Sequence, residues 1–115
     1  MNIEEVRYYC LSKEHTEECF PFDDVTLVFK VNNKMYALLS LSGDAKLALK
    51  CNPEKALRLR ELYPEIIPGY HLNKKHWNTI DLRGNLSNVL IKELIDHSYE
   101  LIRNTSAKPS KTTKN

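Results

Sequence analysis

The stretch Thr26-Leu27-Val28-Phe29-Lys30-Val31-Asn32-Asn33-Lys34-Met35-Tyr36-Ala37-Leu38-Leu39-Ser40-Leu41 decides the fold. Two runs of β-branched, aromatic and aliphatic residues flank a pair of asparagines, the pattern of a hairpin. Asparagine tolerates positive φ, so a two-residue primed turn is the natural connection. That register pairs Val31 with Lys34, Phe29 with Tyr36 and Leu27 with Leu38. Leu27, Phe29, Tyr36 and Leu38 then form the core face. Val28, Lys30, Met35 and Ala37 form a mixed face open to partial exposure.

Downstream of this hairpin, Lys46-Leu47-Ala48-Leu49-Lys50-Cys51 alternates with period two. Leu47, Leu49 and Cys51 are expected inside, with Lys46, Ala48 and Lys50 outside. Asn52-Pro53 reads as a cap followed by proline at the first helical position. The helix it opens runs to about Tyr63 and stops at Pro64, with Ala56, Leu59 and Tyr63 as its stripe and Leu62 widening it. Upstream, Asn2 and Glu5 make a capping box for a helix over about 3–13, with Ile3, Val6 and Cys10 at helical spacing. Residues 14–24 read as an acidic loop whose aromatics, in Phe20-Pro21-Phe22, tuck against the core.

The least ordinary residues lie in Pro68-Gly69-Tyr70-His71-Leu72-Asn73-Lys74-Lys75-His76-Trp77-Asn78-Thr79-Ile80-Asp81-Leu82. We read a short strand around Tyr70 to Leu72, a loop over 73–76 and a strand from Trp77 to Leu82. Ile80 and Leu82 share one face of that strand; Trp77, Thr79 and Asp81 share the other. Ser87 caps a final helix with a wide apolar stripe of Leu90, Ile91, Leu94, Ile95, Leu101 and Ile102. The order α-β-β-β-α-β-β-α, with hairpins and no βα repeat, predicts an α+β fold. It is a single two-layer domain, an antiparallel sheet with helices mainly on one face. The domain is expected over 1–104, followed by a flexible basic tail over 105–115, whose Ser, Thr, Lys and Pro cannot offset the entropy of ordering.

The totals narrow the function. With 115 residues and 42% hydrophobic content, a single globular domain is expected and a disordered chain excluded. No apolar run reaches the roughly 20 residues of a membrane helix, and the acidic opening lacks the basic start of a secretory leader. A cytoplasmic protein without membrane contact is the expectation. Three cysteines without a CxxC pair predict buried, reduced thiols and neither a disulfide framework nor a zinc site. Cys19 sits beside Glu17 and Glu18, which oppose thiolate formation. No phosphate loop, nucleophile elbow or spaced carboxylate pair is present, so neither enzyme activity nor a cofactor is expected. His71 and His76 lack a third ligand, and His97 is expected to be a hydrogen-bonded structural histidine. The first 24 residues hold seven of the fifteen acidic side chains and two of the seventeen basic ones, so the remainder is basic enough to meet a polyanion.

Several segments together resemble the YjbR/MmcQ family of small bacterial proteins. They are Phe20-Pro21-Phe22, Thr26 to Val31, Pro68-Gly69-Tyr70-His71, Asn73 to Thr79, and Asp96-His97-Ser98-Tyr99-Glu100-Leu101. The resemblance covers about residues 1–104 and is specific as a set. Asp23 departs from the glycine that commonly follows Phe-Pro-Phe in the family. What the resemblance implies is DNA binding through a double-wing arrangement of hairpins, on a fold similar to type III secretion chaperones. The residues themselves give that reading a physical basis. Lys30, Lys46 and Lys50 fall beside Trp77 on one sheet face, and Lys74, Lys75 and His76 sit at a hairpin tip. Lysines would contact phosphates and an exposed indole would stack a base. The competing expectation buries Trp77 and leaves the lysines as a solvated face. A protein-binding adaptor is the alternative function. A continuous positive patch favours nucleic acid, and an exposed apolar patch on that face favours a protein partner.

Overall fold

A computed structural model describes residues 1–69 and 72–106. The helices are α1 (Ile3–Leu11), α2 (Pro53–Leu62) and α3 (Asn88–Ser106). The strands are β1 (Glu17–Cys19), β2 (Thr26–Val31), β3 (Lys34–Ser40), β4 (Lys46–Lys50), β5 (Ile66–Pro68) and β6 (Trp77–Asp81). They form one antiparallel sheet in the order β1-β2-β3-β4-β6-β5. This is the expected α+β architecture and element order with an extra edge strand, β1. Its sequence, Glu17-Glu18-Cys19, carries no alternation to announce it. It is held by backbone pairing to β2 and by Arg7 of α1, whose guanidinium grips Glu18 at 2.6 Å.

The caps form as the sequence dictates. The Asn2 side chain accepts from the Glu5 amide while Glu5 accepts from that of Asn2. Asn52 caps α2 with proline in its first turn, and Ser87 Oγ accepts from Leu90 N. On the hairpin turn, Asn32 and Asn33 take φ of 52° and 67°, the primed geometry expected.

The hairpin register differs from expectation. A bulge at Tyr36 shifts it, so that Phe29 faces Ala37 and Leu27 faces Leu39. Tyr36 and Ala37 both turn into the core, and Leu38 moves to the opposite face across from Val28 and Ala48. All three helices cover the face that carries Leu27, Phe29, Val31, Leu39, Leu47, Leu49 and Ile80. Ile91, Leu94, Ile95, Ser98, Tyr99 and Ile102 recur at helical spacing along α3 and are buried there.

Further corrections follow. Leu62 does not join the α2 stripe but is 68% exposed. Strand β5 begins at Ile66, ahead of the strand expected around Tyr70 to Leu72, and Leu72 is not in a strand. The Phe20 and Phe22 rings do not tuck against the core: they are 48% and 64% exposed, and Phe22 stands on the opposite face of the sheet with Leu38 and Ala48. Helix α3 runs to Ser106, past the boundary expected at 104. The tail lysines Lys108, Lys111 and Lys114, like His71, lie outside the described residues.

Candidate functional site

Strand alternation delivers the expected lysines to one face, yet their surroundings differ from a cationic platform. Lys46, Ala48 and Lys50 point away from the helices, across from Asp81, Thr79 and Trp77 of β6. Lys46 Nζ is spent on Asp81, 3.2 Å away. Asp81 also accepts from the guanidinium and backbone amide of Arg83, and these partners hold its carboxyl far below the ordinary carboxylate range. Lys30 has Glu17 directly across from it on β1. Acids therefore interrupt the lysine row.

Trp77 corrects the expectation of an exposed indole, being only 8% exposed. Its position between β4 and β5 and the approach of Gly69 account for this. Gly69 N donates to Trp77 O, and a Cβ at Gly69 would lie 2.7 Å from the Trp77 Cβ. Only glycine allows that closeness. Lys74, Lys75 and His76 do stand on the loop before β6, as expected. This loop is shaped by Asn73, whose side chain accepts from the amides of Lys75 and His76. Arg60 of α2 bolts it down by donating to Asn78 Oδ1 and to the carbonyls of Lys74 and Trp77. Lys74 Nζ turns back onto the Gly69 carbonyl, leaving Lys75 outermost.

The helix-free face carries instead an open groove of about 660 Å³, lined by Phe22, Leu38, Ala48, Ile67, Leu72 and Thr79, with Asp23, Thr26, Ser40, Asp44 and Lys46 around it. Its floor is the side of β3, β4 and β6 turned away from the helices, where Ala48 and Thr79 are themselves buried. Sequence reasoning missed this groove. Regular alternation along β3 puts Leu38 in the core, and only the bulge at Tyr36 brings it to this face; the apolar character of Phe22 likewise points to burial in the core. Only the Ala48 position, outward between two lysines, signalled a shallow apolar floor. Thr79 is 5% exposed, and its Oγ1 is buried without a hydrogen-bond partner among the described residues.

The two ends of the groove differ in charge. At one end Asp23 accepts from the Val25 and Thr26 amides, and Asp44 from the Ser40 and Ser42 hydroxyls, so both carboxyls are pushed below their ordinary value. Neither has a cation within salt-bridge distance among the described residues. The opposite end holds Lys50 and the loop of Lys74 and Lys75. Beside it on α2, Lys55, Arg58 and Arg60 crowd Cys51. Lys50, Lys55, Arg58 and Lys75 have no carboxylate partner among the described residues.

The remaining candidates do not assemble a reaction centre. Burial pushes the Cys10 thiol up to about 12 and that of Cys51 upward as well, so neither is a ready nucleophile. Among the described residues no group of three or more His, Cys, Asp or Glu converges to hold a metal. His97 is hydrogen-bonded, accepting from Asn52 N at 3.2 Å, as expected of a structural histidine. No described helix is long and apolar enough to cross a membrane.

Comparison with known proteins places this geometry. A family model described as YjbR matches residues 11–101. The protein YbdF of Escherichia coli O157:H7 is 37% identical over 91% of this chain and 87% of its own length. YyaQ of Bacillus subtilis is 34% identical, covering 83% of this chain and 88% of its own. The crystal structure of Deinococcus radiodurans protein DR2400, a DUF419 domain, superposes with a TM-score of 0.85 at 42% identity. That match covers 97% of this chain and 83% of the other. A Pseudomonas syringae protein superposes at 0.78 with 35% identity over 90% of this chain and all of its own.

Proposed function

The chain belongs to the YjbR family, and from that premise we propose that it is a non-catalytic cytoplasmic binding module whose partner is a polypeptide segment. The observation that carries the reading is the groove on the helix-free face, with an apolar floor at Leu38 and Ala48 and walls at Phe22, Ile67 and Leu72. A sheet normally buries its second apolar face or solvates it with polar side chains. Here Ala48 and Thr79 of the floor are buried, but Phe22 and Ile67 on the walls stay 64% and 47% exposed, and apolar side chains exposed around a concave site suit a protein partner. The test is selection from a random 16-residue peptide display library on the wild-type protein. Counter-selection uses Ala48→Glu, which puts a charge on the floor, and Phe22→Ser, whose exposure makes it safe for folding. Enriched peptides should bind the wild type at least tenfold better than either folded variant. Enrichment that both variants retain equally would sink the reading.

A second reading, DNA binding, is supported by Lys50, Lys55, Arg58 and Lys75 at one end of the molecule, which have no carboxylate partner among the described residues. They supply phosphate contacts without base readout. Oligonucleotide affinity should then fall with salt at a log–log slope of about −0.9 per phosphate engaged. Replacing Lys50, Lys55, Arg58 and Lys75 together by alanine should flatten that slope. A slope unchanged in the quadruple variant rules out this end of the molecule.

A further inference from the structure

Resting on the polypeptide-binding reading, we infer that the groove's occupant is a single amphipathic α-helix of a partner protein. It is cationic where it meets Asp23 and Asp44 and acidic where it meets Lys50 and Lys75. Three features converge on this occupant.

The first is the hydrogen-bonding state of the floor. Strands β3, β4 and β6 each have ladder partners on both sides in the order β1-β2-β3-β4-β6-β5. The floor therefore offers an incoming strand no free backbone groups. A segment desolvated over Leu38 and Ala48 must satisfy its own N–H and C=O groups, which a helix does and an extended chain does not. The second is width. From β2 to β5 lie four strand spacings, roughly 19 Å. With the walls at Phe22 and Ile67 subtracted, the trough accepts one helix of about 10–12 Å diameter and not two.

The third is charge. Thr26, Ser40, Lys46 and Asp81 mark one end of the strands, and Lys30, Lys50 and Trp77 mark the other. Asp23 and Asp44 stand at the first end, where Lys46 is already neutralised by Asp81. Lys50 and Lys75 stand at the second without carboxylate partners among the described residues. A helix lying along the strands meets opposite signs at its two ends.

Fluorescein-labelled synthetic peptides of 16 residues test this by fluorescence polarisation. One probe has leucines at i, i+3, i+4 and i+7, lysines at one end and glutamates at the other. Its companion is an isomer of identical composition with strict apolar–polar alternation. The helical probe should bind at least tenfold tighter, and both Ala48→Glu and Phe22→Ser should abolish the difference. Replacing its terminal lysines by glutamine should weaken it at least fivefold, an effect absent in Asp23→Asn/Asp44→Asn. Groove-dependent binding of the alternating isomer as tight as the helical probe overturns the helix and leaves the polypeptide reading standing. Absence of millimolar binding by the helical probe also overturns it, while the display selection judges the broader reading independently.

Discussion

At the level of single residues, Ser98 shows how a feature hidden in the sequence controls the sheet. The bulge at Tyr36 lies in the pairing of β3 with β2, and the ladder of β3 with β4 ends at Ala37 and Leu49. Ser98 Oγ, fully buried on α3, donates to Tyr36 O at 2.6 Å and accepts from Lys50 N at 3.0 Å. One hydroxyl thus serves two backbone groups just beyond the end of that ladder. Tyr36 in turn packs edge-on to Tyr99, with ring centroids 5.2 Å apart, and its hydroxyl donates to the Cys10 carbonyl. None of this is visible in the periodicity of Lys34 to Ser40, which fits an unbulged strand equally well. The bulge is chosen by α3 pressing on the sheet, a contact 62 residues away in the chain. Ser98→Ala should therefore cost about 2–4 kcal/mol, since unmade buried hydrogen bonds cost roughly 1–3 kcal/mol each. That lowers the melting temperature by about 10 °C or more. A loss under about 0.5 kcal/mol in denaturant unfolding would show that the bulge finds other partners.

Among the elements, those with a short-range signature were legible and those without one were not. Asn32-Asn33, Asn2 with Glu5, and Asn52-Pro53 carry their geometry within four residues, and each formed as read. So did the outward alternation of Lys46, Ala48 and Lys50, and the loop position of Lys74 and Lys75. The state of each lysine was not legible, because cross-strand neighbours set it: Asp81 neutralises Lys46, and Glu17 opposes Lys30. The loop before β6 likewise owes its shape to another element. Arg60 of α2 reaches Asn78 Oδ1 at 2.7 Å and holds the Lys74 and Trp77 carbonyls. Within the loop, His76 N and Trp77 N both donate to Asn73 O. Arg60→Met should keep the aliphatic packing and remove every one of those donors. Amide exchange at His76 and Trp77 should then speed up at least tenfold relative to the β4 core amides, as expected when local opening becomes easier. Unchanged protection at both amides would mean that Asn73 alone shapes the loop.

For the whole molecule, the division into a helix-covered face and a bare one also sets the response to acid. On the covered side, His97 accepts a hydrogen bond from Asn52 N, so the fold requires its imidazole unprotonated at Nε2. Burial and the nearby Lys55 ammonium depress its pKa from the ordinary 6.5, and Glu93 opposes them only weakly. The unfolded chain then binds more protons than the native one, so stability is full above pH 6.5 and falls as pH drops through the native value. The carboxylates act with the same sign lower down. Asp81, Asp23, Asp44 and Glu18 are all depressed by guanidinium, amide or hydroxyl donors. Their contribution is present above the ordinary carboxylate range and is lost as they are protonated. Melting temperature should therefore hold steady from pH 8 to 7 and decline in two stages, one beginning near 6.5 and one near 4. His97→Gln keeps an acceptor for Asn52 and cannot titrate, so it should erase the first stage and leave the second. Because most of the carboxylates concerned stand on or beside the bare face, Asp23→Asn/Asp44→Asn should soften the second stage alone. An acid profile of His97→Gln that still bends near pH 6.5 would place the first transition elsewhere in the molecule.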